Sequence, residues 1–158
     1  MSLLPFFERL EASPLGVFVK DLPATFAIIE AVHLIALAVL GGAVLASDLR
    51  LLNVVMRDVP SNVVTEAAHK WFKIALAVLL VTGFLMLAGV ATKCYHNFFY
   101  WVKMTALVVG VVFVFAVRRP LLKRDHAHLH PATLKLLALA SMSVWFIVAA
   151  SGRWIGFS

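Results

Sequence analysis

Four stretches of the chain are almost continuously apolar, at about residues 24–47, 71–91, 98–117 and 136–157. Runs of roughly 20 apolar residues match the hydrocarbon core of a bilayer, which is about 30 Å thick. No stretch alternates polar and apolar positions as a strand does, and a lipid-exposed backbone must satisfy its own hydrogen bonds, which favours helices. The pattern predicts an all-α fold: an integral membrane four-helix bundle forming one transmembrane domain over residues 1–158. Each run stops at charges or breakers: Asp48 and Arg50, then Lys93, then Arg118-Arg119-Pro120, then the C-terminal end. Ahead of the first run, residues 3–20 mix Leu3, Leu4, Phe6, Phe7 and Leu10 with Glu8, Arg9 and Glu11. That pattern suits a short helix lying in the membrane interface. The Ser13-Pro14 and Leu22-Pro23 steps break it from the first span, and it lacks the basic and apolar regions of a signal peptide.

Composition agrees with this reading. The chain is 63% hydrophobic and 14% charged, with a mean hydropathy of +0.97, which excludes an ordinary soluble domain. Its sequence pI near 9.9 follows from where the cations lie. Arg50, Arg57, Lys70 and Lys73 flank the first connection, and Arg118, Arg119, Lys123, Arg124 and Lys135 flank the third. Only Arg9, Lys20 and Lys93 lie outside the spans on the opposite side. The positive-inside rule makes both basic connections cytoplasmic and both termini external. The basic balance therefore needs no nucleic-acid partner; the lipid bilayer suffices. The one cysteine, Cys94, cannot form an intrachain disulfide.

Ionisable residues at membrane depth carry the functional information, because each costs a few kcal/mol, roughly 2.5 to 3.5 on insertion scales, unless it faces protein. At a rise of about 1.5 Å per residue, Glu30, His33, Lys103 and Arg153 all fall in the outer half of the bundle. Glu30, His33 and Asp48 share an arc of the first helix, while His96, Lys103 and Gly110 line the third. Small residues on these faces, including Gly41, Gly42 and Gly152, permit close helix approach. Two readings stand for this cluster. Glu30, Lys103 and Arg153 form a buried ion network that fixes register, with His33 a hydrogen-bonded packing histidine. Otherwise His33 ligates a haem b iron, with Lys103, Arg153 and the interfacial His96 facing its propionates. His96 is also the only other histidine on the outer side, yet it lies about 12 Å beyond His33 by the rise estimate. The second axial ligand is then absent or supplied by a partner chain. His69 starts the second span on the far side, too distant to share one haem with His33. Asp48 is neutralised by Arg50 or the basic connections, and Thr82-Gly83 is a packing point. His126, His128 and His130 alternate in the third connection, where a metal site competes with a plain solvated loop. Trp71, Trp101, Trp145 and Trp154 lie mostly near span ends, as an aromatic belt does.

Several of these residues form local patterns: Glu30-x-x-His33, Asp48-Leu49-Arg50, Asn97-x-Phe99 with Lys103, and Trp145 with Gly152-Arg153. Over nearly the whole chain they resemble an uncharacterised family of bacterial four-helix inner-membrane proteins. That family is similar in style to cytochrome b561-like and copper-resistance-D-like membrane domains. The resemblance to the first implies haem b and electron transfer, and the resemblance to the second implies copper handling. The leading expectation is a b-type membrane cytochrome, or the haem-bearing subunit of a redox complex, passing electrons between quinone and a periplasmic partner. The alternatives are a non-catalytic anchor or accessory subunit, bound to a partner chain or to further copies of itself, and then a copper or small-solute transporter.

Overall fold

The computed structural model describes residues 3–125 and 129–157, and every regular element among them is helical. Two short helices, α1 (Leu4–Glu11) and α2 (Pro14–Asp21), precede the first long one, α3 (Pro23–Leu51). Then come α4 (Ser61–Gly89), the short α5 (Ala91–His96) and α6 (Phe98–Val112). A π-helical turn (Phe113–Arg118) carries α6 into α7 (Arg119–Asp125), and α8 (Pro131–Ile155) ends the fold. Four of these helices are long and apolar enough to cross a membrane: Pro23–Leu51, Ser61–Gly89, Phe98–Lys123 and Pro131–Ile155.

The helix ends have local causes. Pro14, Pro23 and Pro131 each sit in a first helical turn, where the missing N–H is not needed. Ser13 accepts from Gly16 N at 3.2 Å and Asn97 accepts from Phe99 N at 2.9 Å, which caps α2 and α6. The N-terminal segment, expected to be one interfacial helix, is therefore two helices, divided at Ser13-Pro14. At the end of α3, Asn53 adopts a left-handed φ of 59°. Its N–H reaches Arg50 O at 3.0 Å and that of Val54 reaches Leu49 O at 2.9 Å, the paired bonds of a Schellman motif. Arg50 then braces the connection by donating to Val59 O at 2.8 Å.

Two boundaries differ from the hydrophobic runs. Helix α4 begins ten residues before the second run, at Ser61, because the polar segment containing Glu66, His69 and Lys70 is helical although it is not apolar. The third span does not end at Arg118-Arg119-Pro120. A proline ring inside an α-helix collides with the carbonyl four residues back and donates no hydrogen bond there. The π turn over Phe113–Arg118 widens the helix just before Pro120, so the chain continues through Lys123.

Helices α3 and α4 form one antiparallel pair and α6 and α8 a second, and the two pairs join along α3 and α8. On the other side α4 meets the third span through ring contacts, Phe72 with Phe115 at 6.2 Å and His69 with Phe115 at 5.6 Å. Two apolar cores result. The larger, built on Leu40, Val44, Phe72, Leu76, Val114 and Trp145, fills the half nearer the 52–60 connection. The smaller, built on Phe7, Ala91, Cys94 and Tyr100, closes the end that holds both chain ends. Helix α2 lies against the end of α4 at Gly16, where a Cβ would meet the carbonyl oxygens of Glu11 and Ala88 at 2.5 and 2.7 Å. Only glycine fits so close a backbone approach.

Candidate functional site

Between the two cores lies a layer containing His33, Thr82 and Lys103. His33 Nδ1 and Thr82 Oγ1 are 2.7 Å apart, and Thr82 Oγ1 is also 2.7 Å from Val78 O. Each contact needs a proton. The Val78 carbonyl has none to give, so the single hydroxyl proton of Thr82 points at it, as serine and threonine often do inside a helix. The proton in the other bond must then come from His33 Nδ1. This fixes the tautomer: the neutral ring carries its lone pair on Nε2. Gly83 completes the seat, with a Cβ position 3.4 Å from His33 Cε1.

Lys103 enters the layer from α6. It lies over Gly152 of α8, whose Cβ position is 3.5 Å from Lys103 Nζ. Among the described residues the ion pairs are Lys20 with Glu11 and Arg118 with Asp48, so the Lys103 ammonium has no carboxylate partner there. The expected network of Glu30, Lys103 and Arg153 is not formed among the described residues. Glu30 is exposed one turn beyond His33, and Arg153 is exposed with its guanidinium 4.5 Å from the Phe157 ring centre. Both stand near span ends, where a charge stays solvated at the interface at little cost. His96 is exposed on α5 with Nδ1 3.0 Å from Thr92 O of its own helix.

Above this layer, Glu11 ties the N-terminal helices down. Its carboxylate accepts from Thr92 N at 2.8 Å, from Thr92 Oγ1, and from Lys20 at 2.8 Å. The Lys20 bond and then the Thr92 bonds hold the Glu11 carboxyl down to about 2. Burial pushes the Cys94 thiol up.

The buried ion pair lies in the opposite half of the bundle. Asp48 is fully buried, and Arg118, with its side chain 11% exposed, donates to both its carboxylate and Ser47 Oγ. The sequence points to Arg50 or the basic connections as the source of neutralising charge for Asp48, and Arg118 is the cation that supplies it. The π turn delivers it, since inserting one residue per turn rotates the positions beyond the turn onto a new face. Ser141 Oγ lies against the Asp48 carboxylate, and beside the pair Arg118 Nε and His69 Nε2 are buried without a hydrogen-bond partner among the described residues. Ser47 and Ser141 are the site residues that sequence reasoning missed, while Arg118 stood among the basic-connection cations without being singled out. The available signal was a serine one position before a span-end aspartate, facing a serine mid-way along the last helix.

No three His, Cys, Asp or Glu side chains converge on a metal-sized site among the described residues. His126 and His128 lie outside the described residues, while His130 caps α8 by accepting from Ala132 N at 3.2 Å.

The architecture thus defines a multi-pass membrane protein of four spanning helices with a polar layer in each half. Residues 6–158 match the family of unknown function DUF6644, and the chain belongs to that family. No curated protein and no solved structure matches it.

Proposed function

We propose that this chain is a b-type cytochrome, or the haem-bearing subunit of a redox complex, in the bacterial inner membrane. In this reading both termini are periplasmic and the basic ends of the bundle are cytoplasmic. The observation that carries it is the state of His33. A histidine that ligates iron donates its other ring N–H to a neighbouring acceptor, which fixes its tautomer and orientation. His33 has that arrangement, with Nδ1–H on Thr82 and Nε2 left as the donor. His33 would hold the iron of such a group through Nε2. Lys103, a cation without a carboxylate partner among the described residues, would supply charge for a propionate. His96 and Arg153, at the exposed rim, suit a propionate reaching the interface rather than an iron. Haem b, when bound, supplies a one-electron carrier between quinone and a periplasmic partner.

The chain's own contribution is to hold His33 rigidly between α3 and α4 and to keep one uncompensated cation at its depth. The test is haem content per chain, measured chemically on protein purified in mild detergent. His33→Ala is expected to lose the haem and Glu30→Gln to retain it. Full haem content in His33→Ala would remove His33 as a ligand.

A second reading, an accessory or anchoring subunit, is favoured by the Asp48–Arg118 pair. A buried ion pair joining two helices serves architecture and needs no cofactor.

A further inference from the structure

Where α4 faces the third span, at the end near the 52–60 connection, the bundle opens into a small cleft of about 50 Å³. Thr65, Glu66 and His69 line one wall, and Arg118, Arg119 and Lys123 line the other. The cleft sits near the ends of both helices, in the first turns of Ser61–Gly89 and the last turns of Phe98–Lys123. A spanning helix places such turns at headgroup depth. Three cations face two carboxylates here, Glu66 in the wall and Asp48 behind it, so the cleft carries a surplus of positive charge. Arg118 spends its Nη2 on Asp48 and Ser47, while its Nε has no partner among the described residues. His69 Nε2, held between Phe72 and Phe115, has none either. A buried guanidinium N–H such as Arg118 Nε needs an acceptor, and an unpartnered imidazole nitrogen beside it can donate to the same group as one tautomer. An acceptor that is anionic, arrives at headgroup depth and enters sideways between two helices is a phosphate group.

We propose that this cleft binds the phosphate of an anionic phospholipid, with Arg119 and Lys123 supplying the charge that selects it and Arg118 and His69 forming its inner wall. Juxtamembrane cations attract anionic lipid in general. What distinguishes this site is a walled cleft with unpartnered buried nitrogens of Arg118 and His69 behind the charges.

The full chain, delipidated in mild detergent, is offered phosphatidylglycerol, phosphatidylcholine of the same acyl chains, or inorganic phosphate, and retained ligand is counted by native mass spectrometry. Phosphatidylglycerol is expected to be retained in preference to phosphatidylcholine. Arg119→Gln/Lys123→Gln should lower that retention roughly 10- to 30-fold, each cation contributing several-fold. Arg57→Gln/Lys135→Gln removes the same charge at the same end of the bundle and should retain the lipid as the parent does. Both variants must elute as folded protein and melt as the parent does. If the cleft variant is also misfolded, phosphatidylglycerol raising the melting temperature of the parent above the phosphatidylcholine value decides in its place. Retention of inorganic phosphate with no preference between the lipids would identify a soluble phosphate as the source and overturn the lipid assignment. Equal retention of both lipids, or an equal loss in the two double variants, would overturn the site itself.

Discussion

His33 donates its Nδ1 proton to Thr82 across the α3–α4 interface, over 2.7 Å, because Thr82 has already given its own proton to Val78. Thr82→Val should therefore do more than weaken packing. It strands a buried N–H, at a cost of about 1–3 kcal/mol, and frees the ring to turn. Thr82→Ser keeps the acceptor and should behave as the parent. Thermal melting in detergent measures the first effect. The nitrogen chemical shifts of the ring, which report tautomer directly, measure the second.

The Asp48–Arg118 pair should show strong non-additivity. Asp48→Asn or Arg118→Gln alone leaves one buried charge or donor uncompensated, which is expected to cost about 3–5 kcal/mol. Replacing both by apolar residues, Asp48→Leu with Arg118→Met, should recover most of that loss, because a buried ion pair contributes little net stability over apolar packing. A double-mutant cycle of chemical denaturation reads it out. Additive losses would mean that the two side chains are not coupled.

Gly16→Ala should undock α1 and α2 from the end of α4. The new methyl would sit 2.5 to 2.7 Å from three backbone oxygens, which cannot rotate away. Hydrogen exchange is expected to rise over the N-terminal helices and α5 while the α3–α4 interface stays protected. Gly152→Ala makes a useful contrast. Its methyl would meet only the flexible end of Lys103, at 3.5 Å and beyond, and should be tolerated.

Docking of the N-terminal helices should also depend on pH with a known sign. Glu11 titrates near 2 in the folded protein against an ordinary value of 4.5. A carboxyl held down in the folded state adds stability that is fully present above the unfolded value and is lost as pH falls toward the folded one. Trp101, whose ring lies 6.1 Å from Phe7 of α1, reports the event. Its fluorescence should be constant from neutral pH to about 5 and change between about 4.5 and 2. In Glu11→Gln that step should be absent.

The spans were legible because twenty apolar residues in a row have few other uses, and the helical character of the N-terminal segment was legible from its amphipathic pattern, though its division into two helices was not. The first ten residues of α4 were not, since Glu66, His69 and Lys70 read as connection when only hydropathy is weighed. Arg118-Arg119-Pro120 reads as a helix end in any sequence, and nothing local announces that a π turn carries the helix past it. The site was half legible. His33 and Lys103 stood out as costly residues at membrane depth. Thr82 looked like packing, because a hydroxyl that bonds its own helix carries no outward signal until its neighbour is known. Glu30 and Arg153 were drawn inward by helical-wheel reasoning, which gives the angle of a residue but not whether the interface already solvates it. Asp48 showed the reverse: a span-end carboxylate that reads as boundary is the most deeply buried charge described.

The measurement that bears most directly on the haem assignment is a reduced-minus-oxidised visible spectrum of the protein purified in mild detergent after expression with added haem precursor. The expected result is a sharp α-band with a shifted Soret band, at about one haem per chain, lost in His33→Ala. A colourless protein, or a spectrum that His33→Ala leaves unchanged, would contradict it.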